Sequence, residues 1–373
     1  MYTETPTDGL PSPFLLTASS TGTLSIFQIG AGHDPAMTYT PEYINPKIEG
    51  QPADPGPEIS PASLFHTESW QLSSQISCIK LHRRNENSTG STNCHALITT
   101  MGSAACGGSL CILKSDSSFM YLPNVGIRQS FTFDGTCWTS EFNRDGSKAV
   151  IGTNRGAVLV DLETGSTSWM MESKSDIFSQ QRDLSGNVIL CGLRNGLILK
   201  LDLREKFRKH DIDFEKCRTY WKRNANGTNK FFRLNGRIQS SGIVAMPSSV
   251  CSLVTLMSDD RYFLASSMNG LIALYDNRMT RNCPVQTYDD HVNSHSMLQL
   301  AVDESERFVI SGGEDKYLRL WNIKSGELLL EKNHWDSAPM TSSWETSYNC
   351  GSVGPNYAAW FGSREGIYRL QWR

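Results

Sequence analysis

No apolar run in this sequence approaches the roughly 20 residues that a membrane-spanning helix needs. The first residues, MYTETPTDGL, also lack the basic and apolar regions of a secretory signal peptide. The ten cysteines show no regular spacing, which argues against a disulfide framework and indicates a reducing compartment. We therefore expect no membrane partner and a location in the nucleus, the cytoplasm or both.

Motifs that bind cofactors or carry catalysis are also lacking. The sequence has no Gly-x-Gly-x-x-Gly after a predicted strand, no Gly-Lys-Ser/Thr phosphate loop and no His-Glu-x-x-His. Cys94, His95, Cys106 and Cys111 come nearest to a metal cluster, but their intervals lack the paired C-x₂-C spacing of zinc sites. We therefore predict a protein that is not an enzyme, with no catalytic residues, no metal and no cofactor.

The sequence has no net positive charge, but one segment is basic. The net charge of −3 and the pI near 6.3 give no general bias toward nucleic acid. Residues 206–237, however, hold ten Lys/Arg and several aromatic residues. This pattern suits single-stranded nucleic acid, or an insertion whose rings anchor it to the rest of the protein. An RNA- or chromatin-associated scaffold is therefore the alternative function, with a basic aromatic insertion predicted over 206–248.

The sequence is rich in short apolar pairs that predict β-hairpins. Each pair has two β-branched or apolar runs separated by a break that contains Gly or Asn. Seven such pairs occur: FLLTAS/LSIFQI, HALITTM/SLCILK, KAVIGT/AVLVDL, VILCGL/LILKLDL, YFLASS/LIALYD, FVISGG/YLRLWN and YAAWFG/IYRLQW. Asn195-Gly196 and Asn269-Gly270 are typical of two-residue type I′ turns. A third strand precedes several of the pairs, as in WTSEFNRDGS.

Repeated three- or four-stranded units bury their faces by stacking around an axis. The sequence thus predicts an all-β, seven-bladed propeller over residues 1–373, with blades four and five separated by the 206–248 insertion. Residues 31–62 hold seven of the 15 prolines, so we predict a flexible loop without sheet or helix there, between blades one and two. Ring closure leaves two alternatives: an incomplete first blade, or one that borrows the strand at 367–372.

The sixth unit, FVISGGEDKYLRLWN, carries a resemblance to the WD-repeat family. In that family a His, a Ser, an Asp and a Trp form a buried hydrogen-bonded tetrad. The resemblance implies that His291 or His295, Ser311, Asp315 and Trp321 form it here. Buried indole and carboxylate groups need such partners, so we interpret the set as structural. A hydrolase reading with Ser311 as nucleophile lacks a strained elbow and an oxyanion loop.

The fourth and fifth units share a second pattern, Asp-x-Arg, at Asp202–Arg204 and Asp276–Arg278. Residues two apart lie on one face of a strand, so each Asp and its Arg project together. We expect the Asp to accept backbone N–H groups of the following turn and the Arg to be left free. On neighbouring blades, the two arginines would form a two-point docking patch.

This pattern resembles the Asp-x-Arg boxes of WD-repeat substrate receptors, and the last half of the chain resembles the cullin-4-associated factor 4 family. The stretches that carry the resemblance are CGLRNGLILKLDLR, YFLASSMNGLIALYDNRMTR, YDDHVNSHSMLQLAVDESER and GGEDKYLRLW. The resemblance implies a non-catalytic receptor that docks on the damaged-DNA-binding protein 1 adaptor of cullin-4 ubiquitin ligases through Asp202, Arg204, Asp276 and Arg278. The opposite rim would hold a substrate protein, which the sequence does not name.

Overall fold

A computed structural model describes residues 2–4, 14–30, 38–39, 42–44, 63–83, 94–103, 106–115, 125–204, 220–223, 229–232, 244–278, 284–333, 336–344 and 357–372. All regular secondary structure in these ranges is β-strand. No helix that could cross a membrane occurs in this part of the chain.

The strands are numbered in chain order. They are β1 (Tyr2–Glu4), β2 (Phe14–Ala18), β3 (Thr23–Gly30), β4 (Thr38–Tyr39), β5 (Glu42–Ile44), β6 (Ser63–Gln71), β7 (Ile76–Arg83), β8 (Cys94–Thr100), β9 (Ser109–Ser115), β10 (Val125–Thr132), β11 (Cys137–Phe142), β12 (Lys148–Thr153), β13 (Gly156–Asp161), β14 (Thr167–Glu172), β15 (Ile177–Arg182), β16 (Val188–Leu193), β17 (Leu197–Asp202), β18 (Tyr220–Arg223), β19 (Asn229–Phe232), β20 (Val244–Ala245), β21 (Val250–Thr255), β22 (Tyr262–Ser267), β23 (Ile272–Asp276), β24 (Gln286–Tyr288), β25 (Leu300–Val302), β26 (Phe308–Gly312), β27 (Tyr317–Asn322), β28 (Leu328–Asn333), β29 (Thr341–Trp344), β30 (Tyr357–Gly362) and β31 (Ile367–Trp372).

Seven sheets, antiparallel except for the pair of β31 and β5, form the blades of a β-propeller, which confirms the predicted fold. Blades two, three, five and six each use four consecutive strands: β7–β10, β11–β14, β21–β24 and β25–β28. Blade one is β1–β2–β3–β6 with β4 beside β6, blade four is β15–β16–β17–β20, and blade seven is β29–β30–β31–β5. All seven predicted hairpins are present as the second and third strands of a blade.

The core consists of apolar clusters in which side chains of neighbouring blades pack together. In one cluster Leu97 and Ile112 of blade two pack with Phe142 and Ile151 of blade three. All four side chains are at most 1% exposed. Full burial of such a side chain contributes about 1.5–3 kcal/mol. The ring is therefore held together by blade-to-blade packing, since hydrogen bonds between strands run mainly within each blade.

Ring closure differs from both alternatives that the sequence left open. Blade one has its own inner strand, β1, which also contacts the inner strand of blade seven, β29. Blade seven instead takes its outer strand from residues 31–62, because β5 pairs in parallel with β31. This segment lies between β3 and β6, the third and fourth strands of blade one, so its predicted place between blades one and two is wrong. The prediction that 31–62 contains no sheet is therefore wrong: short strands β4 and β5 lie between its prolines.

The insertion in blade four is also bounded differently from the prediction. β20 lies within 206–248, yet it pairs with β17 as the outer strand of blade four. Val244 and Met246 pack into the same core cluster as Val250 of blade five. The insertion thus lies between the third and fourth strands of blade four, and it contains a separate hairpin of β18 and β19. Most of the basic segment 206–237 lies outside the described residues.

The turns at the two Asn-Gly pairs hold three residues each, at 194–196 and 268–270. Only the glycine has a positive φ, +88° at Gly196 and +85° at Gly270. Gly196 N–H donates to the Leu193 carbonyl at 3.0 Å, and Gly270 N–H to the Ser267 carbonyl at 3.0 Å. The predicted two-residue type I′ turn is therefore wrong, because a three-residue loop needs a left-handed residue only at its last position.

Candidate partner-docking site

The two Asp-x-Arg boxes lie at the same end of neighbouring blades. Asp202 ends β17 and pairs with Val188, the first residue of β16. Asp276 ends β23 and pairs with Tyr262, the first residue of β22. We call this end of the ring the box rim, where first strands turn into second strands. The opposite rim holds the turns between second and third strands.

Each box folds into the same hydrogen-bonded fork. In blade four, Asp202 Oδ1 accepts the backbone N–H and the Nε–H of Arg204, both at 2.9 Å, and Asp202 Oδ2 accepts from Nη2 at 2.6 Å. In blade five, Asp276 accepts the same three groups of Arg278 at 2.8, 3.2 and 2.9 Å. Bidentate pairing fixes the plane of the guanidinium as well as its position.

The prediction that the arginines are left free is wrong, because each is bound to the aspartate two residues before it. The side chains nevertheless stay accessible, with Arg204 69% and Arg278 59% exposed. The fork of Arg278 uses its Nε–H and one Nη2 N–H of a five-donor group, so the other N–H groups can meet a partner's oxygens. The aspartates therefore hold two exposed arginines in defined orientations.

Hydrogen bonds and the arginine charge stabilise each aspartate of the forks in its ionised form. The hydrogen bonds from the Arg278 side chain lower the pKa of Asp276 to about 2, and the Arg204 side chain likewise lowers the pKa of Asp202. Lys200 of blade four donates from Nζ to the Asn277 carbonyl of blade five at 2.8 Å. Burial lowers the pKa of Lys200, and the nearby Asp276 carboxylate opposes this. Lys200 therefore ties the two boxes together across the blade boundary.

A third fork on the box rim escaped the sequence prediction. Asp259 Oδ1 accepts the Arg261 backbone N–H at 3.1 Å and its Nε–H at 2.6 Å, and the second carboxylate oxygen accepts from Nη2. This pair lies in the turn between β21 and β22, beside the box of blade five. A search for Asp-x-Arg away from strand ends would have found it, since the triplet occurs three times in the sequence.

In the sixth blade, His291 rather than His295 is the buried histidine. His291 Nε2 lies 3.4 Å from Ser311 Oγ and 3.0 Å from the Gly312 carbonyl, and Nδ1 lies 3.3 Å from the Gly270 carbonyl. Burial lowers the pKa of His291 below its ordinary value. His295 is exposed instead. The first two members of the implied tetrad are thus in contact.

The other two members bond elsewhere, so the expected chain through all four residues is wrong. Asp315 forms a fork with Arg319, at 3.0 Å from Nη1 to Oδ1 and 2.5 Å from Nη2 to Oδ2. Trp321 Nε1–H donates to the Asp289 carbonyl at 3.1 Å. A guanidinium four residues away offers Asp315 a charged, two-point partner, which is stronger than a neutral hydrogen bond.

The structure describes only part of the Cys/His cluster that came nearest to a metal site in the sequence. Cys106 and Cys111 are free thiols, whereas the side chains of Cys94 and His95 lie outside the described residues. No group of three or more potential metal ligands occurs among the residues that the structure describes.

Comparison with known proteins agrees with the propeller fold. A family model described as the DDB1- and CUL4-associated factor 4 beta-propeller domain matches residues 229–346, which include Asp259–Arg261 and Asp276–Arg278. Human DDB1- and CUL4-associated factor 4 is 26% identical over 241 residues, which are 63% of this chain and 42% of that protein. This chain is a seven-bladed β-propeller similar to DDB1- and CUL4-associated factor 4.

Two further relatives show how far the similarity extends. Human DDB1- and CUL4-associated factor 4-like protein 2 is 29% identical over 181 residues, covering 48% of this propeller and 37% of that protein. WD repeat-containing protein 21 of Schizosaccharomyces pombe is 25% identical over 219 residues, which are 54% of this chain and 44% of that protein. The matched region spans less than half the length of each of these relatives.

Proposed function

We propose that this propeller is a non-catalytic substrate receptor that docks on DDB1, the damaged-DNA-binding protein 1 adaptor, in a cullin-4 ubiquitin ligase. The observation that carries the proposal is the pair of forks at Asp202–Arg204 and Asp276–Arg278 on neighbouring blades of one rim. The names of the relatives, DDB1- and CUL4-associated factor 4 and its like, support the choice of partner.

The geometry suits a docking surface because its donors are ordered before the partner arrives. Ordering a flexible side chain on binding costs about 0.5–1.5 kcal/mol, and a fork removes much of that cost. Arginine is one of the residues that are enriched in binding hot spots. The opposite rim then remains available for a substrate protein. We further propose that the receptor works in the nucleus, the cytoplasm or both, which fluorescence microscopy of the tagged protein tests.

The test is the affinity of purified DDB1 for the propeller and for the double variant Arg204→Glu/Arg278→Glu, measured by biolayer interferometry. The variant loses two arginine hot spots, and its new glutamates should repel the partner oxygens that the arginines would bind. We therefore expect binding to weaken about a hundredfold or more. Arg194→Glu is the matched control, because Arg194 is 67% exposed and pairs with Asp176 at 3.1 Å, but lies on the opposite rim. Unchanged binding by the double variant would contradict the proposal.

A further inference from the structure

The box rim exposes two apolar side chains at equivalent positions of blades four and five. Leu184 lies two residues after Arg182, the end of β15, and Met257 lies two residues after Thr255, the end of β21. Each of these strand ends pairs with the second residue of the next strand, so the positions correspond when counted from the first strand, although the turn of blade five is one residue longer. Leu184 is 47% exposed and Met257 is 44% exposed.

The same position is charged in the two other blades whose turn is described. Arg144 occupies it in blade three and Glu304 occupies it in blade six. The corresponding turns of blades one, two and seven lie outside the described residues. Within the described turns, an apolar side chain thus occurs only in the two blades that carry Asp-x-Arg boxes. A single exposed apolar residue is ordinary on a protein surface, but this coincidence links the pair to the boxes.

The two turns are held in place by hydrogen bonds between blades. Thr255 Oγ1 donates to the Arg182 carbonyl at 2.8 Å, which joins the ends of the inner strands of blades four and five. Glu306 of blade six accepts the backbone N–H groups of Met257 and Ser258, the second at 2.9 Å. These contacts fix the backbone that carries Met257, so its apolar side chain is presented to solvent without a large ordering cost on binding.

The third fork lies directly beside the box of blade five. The Asn277 backbone N–H donates to the Arg261 carbonyl at 2.5 Å, so Arg261 and Arg278 emerge from adjoining residues of paired strands. Arg261 is 48% exposed and its guanidinium plane is fixed by Asp259. The rim of blades four and five therefore presents three oriented arginines and two apolar side chains.

We infer that Leu184, Met257 and Arg261 complete the docking surface that Arg204 and Arg278 begin. This inference rests on the proposed function. The matching partner surface is an apolar pocket bordered by carboxylate or backbone carbonyl oxygens, because interface cores favour apolar anchors together with arginine. Each of the three arginines is paired with its own aspartate, so the forks add no net positive charge. This charge balance favours a protein as the partner. A nucleic acid is less suited, because its binding depends on positive charges that are not neutralised within the protein.

The experiment compares the affinity of DDB1 for the full chain and for two variants that leave Arg204 and Arg278 intact. We expect Leu184→Asp/Met257→Asp to weaken binding at least tenfold, and Arg261→Glu to weaken it about tenfold, as for hot-spot residues. Thermal unfolding of both variants should match that of the wild type, since exposed substitutions away from special features have small effects on stability.

Matched controls carry the same changes elsewhere. Met340 is 37% exposed on the opposite rim and Leu329 is 45% exposed on β28, so Met340→Asp and Leu329→Asp should bind DDB1 like the wild type. If Arg204→Glu/Arg278→Glu loses DDB1 while the Leu184, Met257 and Arg261 variants bind normally, the inference is overturned and the proposed function stands. If the wild type does not bind DDB1, both are overturned. The inference is also overturned if the control variants lose as much affinity for DDB1 as the test variants. The same holds if the test variants change only the self-association of the propeller and not its affinity for DDB1.

Discussion

The chain uses the same arginine–aspartate fork in two settings with opposite exposure. On the box rim, the fork of Asp276 and Arg278 leaves the arginine side chain 59% exposed. On the opposite rim, the fork of Asp315 and Arg319 leaves the arginine only 5% exposed, and Glu331 accepts from Arg319 Nε at 2.8 Å. Exposed ion pairs add little to stability, whereas breaking a buried one leaves an uncompensated charge. The burial of the arginine side chain therefore distinguishes a fork that stabilises the fold from a fork that can bind a partner protein.

The largest expected effect is on stability when the buried fork is broken. Arg319→Ala removes the partner of both Asp315 and Glu331, which we expect to destabilise the propeller by about 3 kcal/mol. Arg204→Ala, the matched change on the box rim, breaks a fork whose arginine is 69% and whose aspartate is 24% exposed, so it should change stability by less than about 1 kcal/mol. Chemical denaturation followed by tryptophan fluorescence measures both. Equal shifts of the two midpoints would contradict the distinction between the forks.

A glycine substitution extends the comparison to the backbone. Gly270 has a φ of +85°, and a Cβ there would lie 2.5 Å from the His291 carbonyl oxygen, so Gly270→Ala should cost about 2 kcal/mol or more. Gly165 on the box rim has a φ of +75°, but its Cβ would meet nothing closer than 3.6 Å. Gly165→Ala should cost only about 1 kcal/mol. Melting temperatures of the two variants test the order, and a reversed order would refute this account.

Removing the carboxylate charge from the fork of blade five should weaken binding, because its arginine, not its aspartate, is the exposed partner. In Asp276→Asn one amide oxygen can still accept the Arg278 backbone N–H, but the two-point fork is lost. We expect DDB1 to bind about three- to tenfold more weakly, because Arg278 must then be ordered on binding. The affinity and the unfolding midpoint are measured on the same preparation. A fall in stability without a fall in affinity would assign Asp276 to the fold alone.

The smallest expected effect is a dependence of stability on pH that arises in the sixth blade. Burial lowers the pKa of His291 below 6.5, so the unfolded chain binds more protons just below that pH. The contribution of His291 is therefore full above pH 6.5 and decreases as the pH falls below it. The fork at Asp276, with a pKa of about 2, stays paired in this range. Denaturation between pH 7.5 and 5 should show the loss, and His291→Gln should flatten it.

The success of the fold prediction and the failure of several details have one physical origin. Hairpins were predictable because strand and turn signals are local, and all seven occur as expected. The blade to which each strand belongs was not predictable. β5 belongs to blade seven although it is distant in sequence from β31, and β20 belongs to blade four although the insertion separates it from β17. Pairing across such gaps depends on which sheet edge is vacant in the folded ring.

The sequence by itself determined the class of fold, the number of blades and the two boxes, since these follow from repeated local patterns. Only the tertiary structure decided that each box arginine is bound to its own aspartate. It also decided that Asp315 forms hydrogen bonds with Arg319 instead of His291. The position of Arg261 on the box rim, next to Arg278, likewise depends on the folded chain. The reason is competition for partners. A charged group pairs with the group of opposite charge that it can reach, and the folded backbone sets which groups are within reach.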